Sequence, residues 1–145
     1  MNIWSLRAIF SDFYSYFNIM KNTISLNRNE QFLNVYKKGK RSYHKYFTMY
    51  YIPNGLEFNR LGFKVSKKLA KAVKRNRIRR LLREGYRLSE SNLKSGYDII
   101  LAAREGALEV SDFSYIKSVC DKLFANAGLF KEQKITDTEK IWKSF

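Results

Sequence analysis

The segment from Lys64 to Glu84, KVSKKLAKAVKRNRIRRLLRE, constrains this chain more than any other. Ten lysines or arginines and no acid lie between Lys64 and Arg83. A run this basic repels itself unless a polyanion lies against it, so it reads as a phosphate-binding surface. Its spacing predicts a helix from about Leu69 to Leu88, which separates it from a disordered basic tail. At about 100° per residue, Ile78, Leu81, Leu82 and Gly85 share one arc. Arg75, Asn76, Arg77, Arg79, Arg80 and Arg83 spread over the other side. The aliphatic arc must face a sheet, and close packing there would explain Gly85, which costs a helix about 1 kcal/mol relative to Ala. Arginine suits the outer face because its planar fork grips two phosphate oxygens and stacks on bases. A solvated face crossed by Glu–Arg pairs is the bland alternative, and only Glu84 is available to build it.

The rest of the composition agrees. A chain of 145 residues has room for one domain and one modest core. Its formal net charge of +15 is concentrated: Lys21 to Arg87 holds nineteen basic and three acidic residues, whereas Leu88 to Phe145 holds eight and nine. A solubility charge would scatter both signs. Nucleic acid is therefore the favoured partner, ahead of an acidic membrane surface. The single cysteine, Cys120, excludes an internal disulfide, fits a reducing cytosol, and reads as a small apolar helix residue.

Residues 1–19 are aromatic-rich but too short and interrupted for a membrane span, and Asp12 falls where a secretory signal needs its apolar middle. Met20-Lys21 looks like the start of an ordinary basic protein. Residues 1–19 are read as an over-extended frame, with an amphipathic anchor helix as the rival. The domain is assigned to 20–130, and 131–145 to a loose tail with a possible short helix around Lys140.

Between these limits, Asn27 to Gly39 predicts a helix capped by Asn27 or Asn29 and ended by a left-handed Gly39. Phe32, Val35 and Tyr36 share one face of it. Ser42 to Ile52, rich in aromatic and β-branched residues and closed by Pro53-Asn54-Gly55, predicts one strand. Alternation puts His44, Tyr46, Thr48, Tyr50 and Ile52 on one side, and Tyr43, Lys45, Phe47, Met49 and Tyr51 on the other. Arg60 to Ser66 alternates Leu61, Phe63 and Val65 against Gly62 and Lys64. Tyr97 to Ala103 is apolar enough for an interior strand. Ser111 to Gly128 predicts a helix capped by Ser111, with a stripe of Phe113, Ile116, Val119, Cys120, Leu123 and Phe124.

SKKLAKAVKRNRIRRLLRE resembles the Arg-Asn-Arg motif of the protein component of bacterial ribonuclease P. The likeness extends over about Met20 to Phe130. It takes in Asn29-Glu30-x-Phe32 with Tyr36, the aromatic strand, the VSKK strand end and YDIILAAR. The resemblance implies a single-domain α+β two-layer sandwich of order αβββαβα, with a left-handed βαβ crossover through the basic helix against the usual preference. It therefore implies a third strand before that helix, made by dividing Ser42 to Ser66 differently.

Two RNA surfaces follow from the resemblance. Arg75, Asn76, Arg77, Arg79, Arg80 and Arg83, led in by Lys67, Lys68 and Lys71, would face the catalytic RNA. Phe32, Tyr36, Thr48 and Tyr50 would line a cleft for the single-stranded 5′ leader of precursor tRNA. Stacked bases on such a platform contribute about 1–3 kcal/mol each. Core packing is the competing role for Phe32, while the polar tips of Tyr36 and Tyr50 suit a wet groove. The chain offers no convergent carboxylates for two-metal cleavage, since only Glu30, Glu57 and Glu84 fall in its basic part after Met20. His44 is isolated on a predicted strand. The resemblance implies that an RNA subunit performs Mg²⁺-dependent hydrolysis, that the protein itself binds no cofactor, and that neither DNA nor a membrane is a partner. It also implies a cytoplasmic endoribonuclease subunit in tRNA processing; a non-enzymatic RNA-binding protein, such as a small ribosomal component, is the alternative.

Overall fold

The computed structural model describes residues 20–109 and 112–132. Five strands form one sheet: β1 (Thr23–Ser25), β2 (Lys40–Tyr43), β3 (Phe47–Pro53), β4 (Asn59–Lys64) and β5 (Tyr97–Ala103). Three helices accompany them: α1 (Asn29–Lys38), α2 (Ala72–Ser89) and α3 (Phe113–Ala127). The spatial order is β1-β4-β5-β3-β2. β4 runs parallel to β1 and β5, while β3 is antiparallel to β5 and β2. The order αβββαβα is thus present, preceded by a short extra strand. α2 connects the parallel neighbours β4 and β5, which makes the βαβ unit.

The sandwich is the sheet with α2 and α3. Phe47, Met49, Leu61, Ile99 and Leu101 from the strands, with Val65 just past β4, meet Ile78, Leu82 and Tyr86 from α2 and Ile116, Val119, Leu123 and Phe124 from α3. The opposite sheet face carries α1 over a smaller cluster, Leu26, Val35 and Ile100, with Phe32, Tyr36, Tyr50 and Ile52 against it. Ile99 and Leu101 point one way and Ile100 the other, so β5 is covered on both faces, as its continuous apolar run requires.

Where the sequence predicts one strand over Ser42 to Ile52, there are two. The His44 amide donates to the Phe47 carbonyl (2.8 Å) and closes a tight turn through Lys45 and Tyr46. No Gly or Pro marks that turn. Past it the chain reverses, so alternation does not carry from β3 into β2: Tyr43 pairs with Thr48 and Arg41 with Tyr50, on the α1 face. Ser42 points the other way and its hydroxyl donates to the Leu123 carbonyl at 3.0 Å. His44 lies in this turn, not on a strand, edge-on to Tyr115 at 5.9 Å between centroids.

Helix ends also differ from expectation. Arg28, in an extended conformation, precedes α1 in place of Asn27 or Asn29, and its amide donates to the Gln31 carboxamide at 3.3 Å. Gly39 has φ −76° and is not left-handed. Its requirement is space, since a Cβ there would lie 2.4 Å from the Val35 carbonyl oxygen. Asp112 caps α3 by accepting from the Ser114 amide (3.3 Å); Ser111 lies outside the described residues. Gly85 packs on α3 and not on the sheet, because a Cβ would stand 3.0 Å from Cys120 Sγ. Burial pushes the Cys120 thiol up to about 12, in keeping with an inert core residue. Phe130 closes the domain by bridging to Leu93, and Lys131, the first residue of the expected loose tail, is still tied down: its amide donates to the Asn92 carbonyl at 2.7 Å. The expected helix around Lys140, residues 1–19 and most of the proposed tail lie outside the described residues.

Candidate nucleic-acid interface

The buried side of α2 is Ile78, Leu82, Gly85, Tyr86 and Ser89. Tyr86 is a core anchor that helical spacing alone did not single out. Its hydroxyl accepts from Asn59 Nδ2 at 3.0 Å and lies 2.8 Å from Thr23 Oγ1, tying α2 to β4 and β1. With that side pinned, Asn76, Arg77, Arg80 and Arg83 are exposed, and Arg75 and Arg79 are half-buried. Asn76 Oδ1 accepts from Arg79 Nη1 (3.1 Å), which orients that guanidinium and leaves the Asn76 amide free to donate outward. Arg75 Nη1 donates to the Ala70 carbonyl at 3.2 Å, so Arg75 partly serves the approach to the helix. Arg83 lies over the Phe63 ring, 5.7 Å from its centroid. Glu84 is taken by Arg87 one turn on, and that pair holds its carboxyl below the usual range. The acid available to quench the arginine face is therefore spent at its far end.

The approach to α2 adds to the same field. Lys67, Lys68 and Lys71 are exposed in the connection from β4. Ser66 shapes that connection: its Oγ accepts from the Lys68 amide (3.2 Å) and its carbonyl from the Leu69 amide (3.0 Å). No acid occupies the first turn of α2, so its N-terminal dipole reinforces the positive charge.

On the other sheet face, α1 and the strands enclose a groove of about 280 Å³ lined by Tyr36, Thr48, Tyr50, Lys64, Ser66 and Ala102 to Arg104. Tyr36 and Tyr50 meet edge to face at 4.8 Å between centroids and 88°. Phe32, 6.4 Å from Tyr36, belongs instead to the packing beneath: a Cβ on Gly62 would stand 2.6 Å from its Cζ. Thr48 is buried at the floor. The Tyr36 hydroxyl is buried without a hydrogen-bond partner, and burial, then neighbouring Tyr50, raises its pKa. Three cations frame this groove beyond the residues first assigned to it. Lys64 Nζ stands 5.0 Å from the Tyr36 centroid and Arg41 Cζ 5.3 Å from the Tyr50 centroid, while Arg104 lines the groove. The alternation of β4 groups Lys64 with Gly62, opposite Leu61 and Phe63, and the structure shows that this side faces α1. Arg41 was legible only once the turn at His44 was located.

Lys64 and Ser66 line the groove, and Lys67, Lys68 and Lys71 lead directly from them into α2. The two surfaces therefore meet at the carboxyl end of β4. Among the described residues no group of His, Cys, Asp and Glu is arranged to hold a metal ion. Arg60 is absorbed by the fold: its Nε and Nη2 grip the buried Asp98 carboxylate at 2.7 Å each, and Asn54 adds a third bond at 3.0 Å.

An arginine helix on one side of a five-stranded sheet and a cation-framed aromatic groove on the other define a single-domain α+β protein built to meet a polyanion. The chain belongs to the ribonuclease P protein family: the family model described as Ribonuclease P matches residues 20–128. It is 43% identical to the ribonuclease P protein component of Caldanaerobacter subterraneus subsp. tengcongensis, over 75% of this chain and 93% of that protein. Among solved structures it is similar to the Staphylococcus aureus ribonuclease P protein, with a TM-score of 0.68 and 32% identity over 74% of this chain and 97% of that one. The Thermotoga maritima protein, solved with 1-(4-fluorophenyl)-2-thiourea, gives 0.61 and 33% over 70% and 94%.

Proposed function

We propose that this chain is the protein subunit of a ribonuclease P ribonucleoprotein that removes the 5′ leader from precursor tRNA in the cytoplasm. In this reading α2, with Lys67, Lys68 and Lys71, binds the catalytic RNA, and the groove between α1 and the sheet receives the leader. The RNA carries out Mg²⁺-dependent hydrolysis. The protein contributes cations that offset phosphate repulsion where RNA, substrate and metal converge, and no catalytic residue of its own. The observation that carries the reading is the division of α2: an aliphatic side locked to the core by Ile78, Leu82 and Tyr86, and an opposite side showing arginines with almost no acid among them. Membership of the family supplies the RNA partner and the tRNA-processing reaction.

Reconstitution tests it. Adding the protein to ribonuclease P RNA and precursor tRNA at low Mg²⁺ should raise 5′ cleavage. No rise would leave a non-enzymatic RNA-binding protein, such as a small ribosomal component, as the better description.

A further inference from the structure

A separate recess opens on the α2 side of the sheet, where β1 runs beside the helix. Its volume is about 270 Å³, and its lining includes Met20, Thr23, Ser25, Leu61, Phe63 and Arg83. Elsewhere the α2 face gathers cations, as phosphate requires. This recess has one, Arg83, carried over the Phe63 ring, with apolar surface from Leu61 and Met20 beside it and no acid in its lining. A guanidinium seated on an aromatic ring leaves its outer face to a second planar group, and nucleobases stack on arginine planes as they do on rings. The backbone supplies the matching edge. The Leu26 amide donates to the Leu61 carbonyl (2.9 Å) and the Asn59 amide to the Asn22 carbonyl (3.0 Å), so alternate residues of this segment turn toward β4. Thr23 and Ser25 therefore direct their amides and carbonyls to the outer edge, and β1 ends the sheet, so no strand among the described residues pairs with them. The Thr23 hydroxyl, 2.8 Å from that of Tyr86, marks the α2 side of β1, and Ser25, two residues on, shares that side. Donors and acceptors side by side suit the edge of a base, whereas a phosphate only accepts. The volume falls below the roughly 300–1,000 Å³ of sites that enclose drug-sized molecules, which leaves room for a single base.

We propose that this recess takes one unpaired nucleobase of the catalytic RNA, stacked on Arg83 and met at its edge by the backbone of Thr23 and Ser25. The inference rests on the reading of α2 as the surface for that RNA, and adds base recognition to what is otherwise phosphate contact. Arg79 and Arg80, one turn before Arg83, hold the RNA backbone at the mouth. The base must be unpaired, because a duplex does not offer its flat faces. An extended peptide added to β1 is the competing occupant, and a strand of three residues gives it few hydrogen bonds.

The test uses the full chain and ribonuclease P RNA. The RNA, alone and in the complex, is probed with dimethyl sulfate and carbodiimide, which react at base edges, and binding is measured across a salt series. One unpaired base should become protected by the unaltered protein. Arg83→Lys keeps the charge and removes the stacking plane, while Ser25→Trp fills the recess from an exposed position. Each should re-expose that base alone and weaken binding about fivefold or more, the lower end of what one stacked base contributes. The slope of log affinity against log salt should not change in either, because no charge is lost. RNA made abasic at that nucleotide should lose as much with the unaltered protein and nothing further with Arg83→Lys. Arg80→Lys, outside the recess, should leave the base protected. If no unpaired base is protected, or the base stays protected in both variants, the proposal is overturned and the salt dependence still assigns α2 to RNA. If both variants weaken every protection together, Arg83 is one more phosphate contact and the proposal is likewise overturned. If the protein does not bind the RNA at all, the reading of α2 fails and takes the proposal with it.

Discussion

Gly62→Ala tests the link between the core and the groove. Gly62 lies on β4 under Phe32, and a Cβ there would meet Phe32 Cζ at 2.6 Å, Cε1 at 2.9 Å and Leu26 Cβ at 3.3 Å. Carbon atoms rest at about 3.5–4.0 Å, so the ring must withdraw by about 1 Å. Phe32 is only half-buried and its far edge can swing outward, which limits the cost; Leu26, fully packed, can yield only slightly. Overpacking of this kind costs about 1–3 kcal/mol. Replacing a strand glycine by alanine returns about 0.5–1 kcal/mol of backbone entropy. The net expectation is a loss of about 1 kcal/mol, measured by urea unfolding followed by far-UV circular dichroism. Phe32→Leu in the same background removes the clashing edge and should recover part of the loss, a coupling that two independent sites would not show. The groove should suffer as well, because Phe32 adjoins Tyr36 and α1 must shift with it. If Gly62→Ala were more stable than the parent and Phe32→Leu gave no relief, the ring would not rest on this glycine.

Arg80→Ala, exposed on α2 and free of the local role that Arg75 plays, should weaken binding to the RNA subunit and flatten its salt slope by about 0.7–0.9; an unchanged slope contradicts the interface assignment. Asp98→Ala strands Arg60 and Asn54 beside an emptied buried position and should cost about 3 kcal/mol of unfolding free energy, the lower end for a buried pair because Arg60 keeps some solvent. His44 is held below its ordinary value of 6.5, first by burial and then by Lys122, with Nδ1 buried and unpartnered. Its unfolded form then takes up a proton sooner than the folded form, so stability is full above pH 6.5 and declines as pH falls through that value. Unfolding measured on both sides of that pH should show a smaller decline for His44→Gln, and parallel curves would remove His44 as the cause.

Much of the fold is legible in the sequence because its strongest signals are periodic and local. The apolar run of β5 matches its strand residue for residue, and the apolar stripe of α3 is buried from Ile116 to Phe124, with Phe113 half-buried at its start. The boundary between β2 and β3 was hidden because Ser42 to Ile52 has strand propensity throughout, and the reversal at His44 is closed by one backbone hydrogen bond with no turn-forming residue. A single strand over that range would place Tyr43 on the wrong side of the sheet and gives no sign that Arg41 pairs with Tyr50. The glycines show the same limit: Gly39, Gly62 and Gly85 are each required by a close neighbour, and sequence spacing reports that something is near without saying what.

The sequence by itself determined that α2 shows its basic side outward, because ten like charges in one segment leave burial too costly and helical periodicity puts the aliphatic residues opposite them. Only the tertiary structure decided that cations cover the tyrosine rings of the groove. That arrangement depends on Lys64 from β4, Arg41 from β2 and Tyr36 from α1 converging on one sheet face. Pairing register and helix docking bring them together, and both are long-range packing outcomes that no local pattern encodes.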